Sequence, residues 1–152
     1  IIATGVADSI SASSTSVLTQ ALKLEVNLGD DNVADSFSYV HGGGKELVKI
    51  YNFDTTSDDL SANVAVGAAA TAIGATTAAL MIGGALGATI SSSDVATAGA
   101  SNNITAMYTY NGDTFFLSQA DGNELDGTFG SAEVIFQFVG VTDIVAADIG
   151  SV

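Results

Sequence analysis

The side chains that could do chemistry in this chain are concentrated in three acidic turns. They follow Leu28, follow Phe53, and lie between residues 121 and 127. Closely spaced carboxylate and amide oxygens are the hard ligands that calcium takes, and calcium tolerates irregular geometry. The candidate calcium ligands are Asp30, Asp31, Asp35, Asp54, Asp58, Asp59, Asp121, Asn123 and Asp126.

None of these turns is an EF-hand. In the 121–127 turn the ligand spacing is shifted by one residue, and no glutamate stands at the twelfth position. Each turn taken alone is also compatible with an ordinary polar turn in water. Three such turns in a chain with only three basic residues favour at least one bound calcium.

Catalytic constellations are much weaker. The sole histidine, His41, precedes a glycine run and is expected to be a neutral turn residue. One histidine and no cysteine leave zinc without its usual ligands. A glycosidase-type carboxylate pair needs a pocket with aromatic platforms, and the chain has no tryptophan. The run Gly-Gly-Gly-Lys at 42–45 lacks the spacing and the hydroxyl of a phosphate loop. The sequence therefore predicts a protein that is not an enzyme.

The charge balance restricts the partners and the environment. Seventeen acidic residues face three basic ones, which gives a net charge of −14. Such a surface does not bind nucleic acid by counterion release, and it is repelled by anionic lipid. Copies of the chain also repel each other unless salt or divalent cations intervene. We therefore expect a salty medium, bound calcium or both, and an extracellular or bacterial cell-surface location.

Alternation of apolar and polar residues predicts a single, mainly β domain over residues 1–152. Asn111 and Gly112 form the strongest hairpin signal between two such stretches. The spacing of strands and turns is typical of an antiparallel β-sandwich or a β-roll-like domain. The predicted strands are residues 21–28, 36–40, 46–53, 104–110, 114–118 and 133–139, with a closing tail at 141–149.

The segment 65–90 is different because it carries no charge and is dominated by small residues. Its length matches a membrane span, but glycines and threonines dilute its hydrophobicity and no lysine or arginine anchors its ends. We expect no membrane span. The segment is predicted to pack against a sheet, as a helix or as a strand pair, and its uncharged surface to be covered by another subunit.

Two stretches, 37–60 and 110–149, resemble the C-terminal, capping part of repeats-in-toxin (RTX) proteins. In the first, a Phe-Ser-Tyr-Val strand leads through a glycine run to Ile-Tyr-Asn-Phe-Asp; the second ends in Val-Gly-Val-Thr-Asp-Ile-Val-Ala-Ala-Asp-Ile. The calcium-binding Gly-Gly-x-Gly-x-Asp repeat of that family is absent from the sequence. The resemblance implies a calcium-associated extracellular protein that leaves the cell by type I secretion.

The leading hypothesis is a non-catalytic extracellular structural subunit that self-assembles, with calcium, into a surface layer or filament. The contacts between copies are predicted to involve β-strands and the 65–90 segment. A competing hypothesis is an adhesin or ligand-binding module of a larger secreted protein, which a concave, aromatic-lined surface would favour. The sequence is also compatible with a structural protein of a virion or fibre, and with a fragment of a secreted hydrolase.

Overall fold

The fold is mainly β, as predicted, and the described residues form two sheets and one α-helix. The computed structural model describes residues 1–2, 6–14, 22–63, 73–102, 105–119, 125–130 and 133–151. Two short 3₁₀ helices cover Ser92–Asp94 and Ala146–Asp148, and helix α1 covers Ala75–Leu86. The strands are β1 Ser9–Ser13, β2 Leu22–Asn27, β3 Ser36–Val40, β4 Glu46–Tyr51, β5 Asp59–Ala62, β6 Ala96–Asn102, β7 Thr105–Tyr110, β8 Asp113–Gln119, β9 Glu133–Val139 and β10 Ile149–Ser151.

From β1 to β5 the chain winds as a coil, with successive strands placed alternately in the two sheets. Strands β6 to β9 then all lie in the six-stranded sheet, and β10 returns to the four-stranded one. The four-stranded sheet has the order β1-β3-β5-β10, and all its neighbours are parallel. The six-stranded sheet has the order β2-β4-β9-β8-β7-β6. Its strands β2, β4 and β9 are parallel, and β9 to β6 are antiparallel. One pass of the chain through both sheets is called a rung below.

The winding matches the predicted β-roll-like domain, and the antiparallel pairing expected of a sandwich holds only from β6 to β9. Apolar residues alternate with the same period in parallel and in antiparallel sheets, so the alternation does not distinguish the two. The connections do distinguish them. Segments 28–35, 41–45 and 52–58 cross from one sheet to the other, whereas the connection at Asn111 and Gly112 folds back as a hairpin. Both hairpin residues have positive φ, at 52° and 86°, as predicted for that turn.

The main core lies between the two sheets. Ile10, Phe37, Leu60 and Ile149 are aligned by the strand register and form an apolar ladder across the whole four-stranded sheet. Side chains of the six-stranded sheet such as Phe136 pack against this side. The ladder holds successive rungs together by burial of neighbouring apolar groups.

A second core lies on the other face of the six-stranded sheet, where α1 packs. Strand β9 is buried on both faces, with Phe136 and Phe138 toward the four-stranded sheet and Ile135 toward α1. This explains why β9 is the most apolar strand of the sequence. No helix of the described residues is long and apolar enough to cross a membrane.

Small residues allow α1 to lie close to its surroundings. A Cβ added at Gly83 would lie 2.6 Å from the carbonyl oxygen of Ala88. The helix ends at Gly87, whose φ of 68° is the left-handed conformation that glycine adopts readily. Of the two predicted forms, a helix or a strand pair packed on a sheet, the helix is confirmed for 75–86, because buried residues of α1 share a core with the six-stranded sheet. Residues 65–72 lie outside the described residues.

Candidate functional site: an acidic cleft and a buried glutamate

Two of the three predicted acidic turns meet in one cleft of about 380 Å³. Its loops follow β2, β4 and β9, which are adjacent parallel strands of the six-stranded sheet. Because the carboxyl ends of parallel neighbours lie at the same edge of a sheet, the loops that follow them converge. The aspartates that line the cleft are Asp30, Asp31, Asp54, Asp58 and Asp143.

Asp143 is the lining residue that the sequence did not indicate. It lies in the tail after β9, and the nearest other acidic residue, Asp148, is five positions further along the chain. Only the parallel pairing of β9 with β4 brings it to the other two loops. Its carboxylate accepts a hydrogen bond from Thr55 Oγ1 at 3.4 Å, which links the tail to the loop after β4.

The exposed turns of the cleft are shaped by their own aspartates. Asp31 Oδ1 accepts a hydrogen bond from the backbone N–H of Val33 at 2.9 Å, while its Oδ2 is buried without a partner. Asp54 Oδ1 accepts from the hydroxyl and the N–H of Thr56, at 2.7 and 2.9 Å. These hydrogen bonds lower the pKa of Asp54, so the carboxylate is ionised at neutral pH.

Asp35 and Asp58 lie deeper and hold the rungs together. They are 2% and 7% exposed. Asp35 Oδ1 accepts from the N–H of Asp8 at 2.8 Å. Asp58 accepts from Asp35 N at 3.0 Å and from Asp54 N at 2.9 Å. Burial raises the pKa of Asp58, and the nearby charges of Asp35 and Asp54 add to the rise. Each carboxylate oxygen of Asp58 thus accepts a hydrogen bond from a backbone N–H.

Among the described residues, the predicted ligands Asp35, Asp59 and Asp126 do not line the cleft. Asp59 is exposed on β5, and Asp126 accepts a hydrogen bond from Thr128 N at 2.8 Å within its own turn. Leu125 and Phe129, which flank that turn, pack in the core beside α1. Asp121 and Asn123 lie outside the described residues.

The cleft offers calcium only part of what the ion needs. Its donors are the hard oxygens that calcium prefers, and the buried Oδ2 of Asp31 has no hydrogen-bond partner. In the described part of the chain, however, no three acidic or histidine side chains are gathered as metal ligands. Calcium binding by the cleft remains a prediction.

A second polar cluster surrounds Glu46, the first residue of β4, and the sequence did not indicate it. Glu46 is 0% exposed. Its Oε2 accepts from Tyr39 OH at 2.6 Å and from His41 Nδ1, and its Oε1 accepts from Ser14 Oγ. The N–H of Gly42 reaches Oε1 at 3.4 Å. Tyr39, His41 and Gly42 belong to β3 and the β3–β4 turn, whereas Ser14 follows β1, so the carboxylate fastens that turn to the end of β1.

The Glu46 carboxylate is ionised despite its burial. Burial by itself raises the pKa of Glu46, but hydrogen bonds from His41, Ser14 and Tyr39 outweigh it and hold the pKa below its usual 4.5. Burial and the adjacent Glu46 raise the pKa of Tyr39, so its hydroxyl stays protonated and donates. The cluster is closed to solvent, because the His41 side chain is only 1% exposed. Its hydrogen bonds hold the β3–β4 turn against the end of β1.

The geometry of Gly42 agrees with this role. A Cβ added at Gly42 would overlap the carbonyl oxygen of Ser14, so only glycine allows the turn to approach the end of β1 this closely.

No protein-family model matches the chain, and no curated protein and no solved structure matches it either.

Proposed function

We propose that this chain is a non-catalytic extracellular structural subunit that self-assembles, with calcium, into a surface layer or filament. The observation that carries the proposal is the parallel four-stranded sheet, whose outermost strands in the described part of the chain, β1 and β10, contain no charged side chain. In a chain of net charge −14, an uncharged strand edge is where two copies meet with the least repulsion. Strand addition at a sheet edge supplies backbone hydrogen bonds without a dedicated pocket.

Helix α1 supports a second contact between copies. It contains no charged residue, and Leu80 on its outer face is 57% exposed. A surface layer needs more than one kind of contact per subunit, since a single two-fold contact stops at a dimer. The α1 surface would supply the second contact.

Calcium would act through the acidic cleft. Four predicted ligands, Asp30, Asp31, Asp54 and Asp58, lie there with Asp143. A divalent cation at this place would reduce the repulsion between subunits and would tie the loops after β2, β4 and β9 together. The extracellular location is supported by the acidic composition and by the resemblance of 37–60 and 110–149 to RTX capping modules.

Negative-stain electron microscopy of the purified chain tests the proposal, first with millimolar calcium and then with an excess of chelator. Sheets or filaments that form with calcium and disperse with the chelator are the expected result. Particles that stay monomeric and uniform in both conditions would contradict it and would favour the ligand-binding module.

A further inference from the structure

Three asparagines of the described residues have a positive φ, between 52° and 57°: Asn32, Asn52 and Asn111. This is the left-handed backbone conformation, which asparagine tolerates better than most residues. The backbone nitrogen of the following residue is the group that can attack an asparagine side chain. The surroundings of that nitrogen therefore decide whether the side chain reacts, and they differ among the three turns.

At Asn32 and Asn52 the following nitrogen belongs to a residue that is held in place. The N–H of Val33 already donates to a carboxylate, at 2.9 Å. Phe53 is 4% exposed and belongs to the main core. The Asn52 side chain is itself fixed, since its Nδ2 donates to Asn27 Oδ1 at 2.8 Å. In both turns an attack on the asparagine would break one of these contacts.

The turn at Asn111 is not restrained in this way by the described residues. Asn111 and Gly112 are both exposed at the tip of the β7–β8 hairpin. A Cβ added at Gly112 would meet no atom within 4 Å beyond its neighbours in the chain. In the described part of the chain no residue accepts a hydrogen bond from the N–H of Gly112. Glycine also lets the backbone adopt conformations that a side chain forbids, so this nitrogen can reach the asparagine side chain.

From these observations we infer that Asn111 is a modification site, at which the side-chain amide is lost by spontaneous deamidation. The Gly112 nitrogen attacks Cγ of Asn111. The bond from Cγ to Nδ2 breaks, and Nδ2 leaves as ammonia together with the proton of the Gly112 N–H. Water then opens the cyclic imide on either side of its nitrogen. One opening gives aspartate, and the other gives isoaspartate, in which the main chain runs through Cγ.

The modification affects the rest of the fold because β8 begins directly after the turn. Asp113 Oδ1 accepts a hydrogen bond from Gly140 N at 2.8 Å, and its Oδ2 accepts from Gln137 Nε2 at 2.6 Å. Thr114 Oγ1 donates to the carbonyl oxygen of Val141 at 2.8 Å. The start of β8 therefore holds the end of β9 and the beginning of the tail that leads to the acidic cleft.

Isoaspartate loosens these contacts, whereas aspartate does not. Isoaspartate adds a methylene group to the main chain between Tyr110 and Asp113, which are paired in register. A two-residue hairpin turn has the backbone twist that its strands require, so a longer main chain displaces Asp113 from Gly140. Aspartate at position 111 keeps the length of the main chain and leaves the contacts in place.

Peptide mass spectrometry of the folded chain tests the modification. The chain is aged at mildly alkaline pH, because the attacking nitrogen must lose its proton. Deamidation adds about 1 Da to the peptide that contains the site, and chromatography separates isoaspartate from aspartate. Asn32 and Asn52 are internal controls, and we expect Asn111 to react on the order of tenfold faster than either, because glycine frees the attacking nitrogen. Equal rates at the three asparagines would overturn the inference.

Amide hydrogen exchange at Gly140 tests the structural consequence. The isoaspartate form should exchange this N–H faster than the natural chain, and Asn111→Asp should exchange it at the natural rate. Asn111→Gly is the matched control for ageing, since a Gly-Gly turn keeps positive φ and has no side chain that can react. Faster exchange in aged Asn111→Gly would show that ageing acts elsewhere, and unchanged exchange in the isoaspartate form would show that the turn does not hold the tail. Either result would contradict the account, and neither depends on calcium or on assembly.

Discussion

The backbone N–H of Asp35 donates to the carboxylate of Asp58 at 3.0 Å, and the two aspartates stand at equivalent positions of successive rungs. The same relationship joins the previous pair, since Asp8 N donates to Asp35 Oδ1 at 2.8 Å. The aspartate that precedes each of β1, β3 and β5 begins a five-residue sequence pattern. The pattern is aspartate, any residue, an apolar residue, serine and an apolar residue. The three copies are 8–12, 35–39 and 58–62.

Removal of the Asp58 carboxylate should destabilise the coil. Asp58→Ala leaves the N–H groups of Asp35 and Asp54 without their acceptor, and an unsatisfied buried donor costs roughly 1 to 3 kcal/mol. Asp59→Ala is the control, because Asp59 is the exposed neighbour of Asp58 on β5. Urea unfolding should show a clear fall in the midpoint for Asp58→Ala and a change within about 0.5 kcal/mol for the control. Similar midpoints for the two variants would show that the hydrogen bonds of Asp58 do not stabilise the fold.

Glu46→Gln should destabilise the fold more than the same change at an exposed position of a strand. The neutral amide provides one acceptor oxygen where Tyr39, His41 and Ser14 now share a carboxylate. Each buried donor left without its acceptor costs roughly 1 to 3 kcal/mol. Glu25→Gln on β2 is the matched control, since Glu25 is exposed. Thermal unfolding of the two variants measures the difference, and equal midpoints would show that the cluster adds nothing to stability.

The same cluster predicts a pH dependence of stability. The folded pKa of Glu46 lies below its usual 4.5, so the folded state binds this proton less readily than the unfolded state does. The stabilisation from Glu46 is then fully present above about pH 4.5 and is lost as the pH falls through the folded value. The difference in unfolding free energy between the natural chain and Glu46→Gln should therefore shrink in acid. A difference that is constant from neutral pH to pH below about 4 would contradict this account.

Calcium should raise the thermal midpoint if it binds the cleft. At a concentration about ten times its dissociation constant, a ligand that binds only the folded state adds about 1.4 kcal/mol. Asp30→Asn and Asp31→Asn remove two lining charges, and the double variant should lose most of this shift. Asp59→Asn, which changes an exposed carboxylate outside the cleft, should keep it. If the double variant keeps the calcium-induced rise in thermal midpoint and Asp59→Asn loses it, the ion binds outside the cleft.

Much of the secondary structure can be predicted from the sequence, but the direction of the strands cannot. Strands β3 and β9 have the predicted bounds, and β2, β4, β7 and β8 differ by a few residues. Strands β1, β5 and β6 are not predicted, and in β1 and β5 the serines and aspartates are typical of turns. The predicted closing tail at 141–149 contains only the first residue of β10. The five-residue repeat that begins at Asp8, Asp35 and Asp58 is the signal that could reveal β1 and β5 and their parallel stacking.

The candidate site is predictable only in part. The first two acidic turns can be recognised from composition, but their meeting depends on the parallel order of β2, β4 and β9. Glu46 escapes recognition because it occupies a polar position of an alternating strand, which normally faces water. Its burial depends on contacts with Tyr39 and His41 across the β3–β4 turn and with Ser14 beyond β1. Such contacts leave no mark in the periodicity of the sequence.

Sedimentation velocity of the natural chain tests the central claim, calcium-linked self-assembly, most directly. Three samples are compared: millimolar calcium chloride, sodium chloride at the same ionic strength, and calcium followed by excess chelator. The account predicts large assemblies only in the first sample, which return to small species when the chelator is added. Identical distributions in calcium and in matched sodium chloride would show that no specific calcium-linked assembly occurs, and would contradict the account.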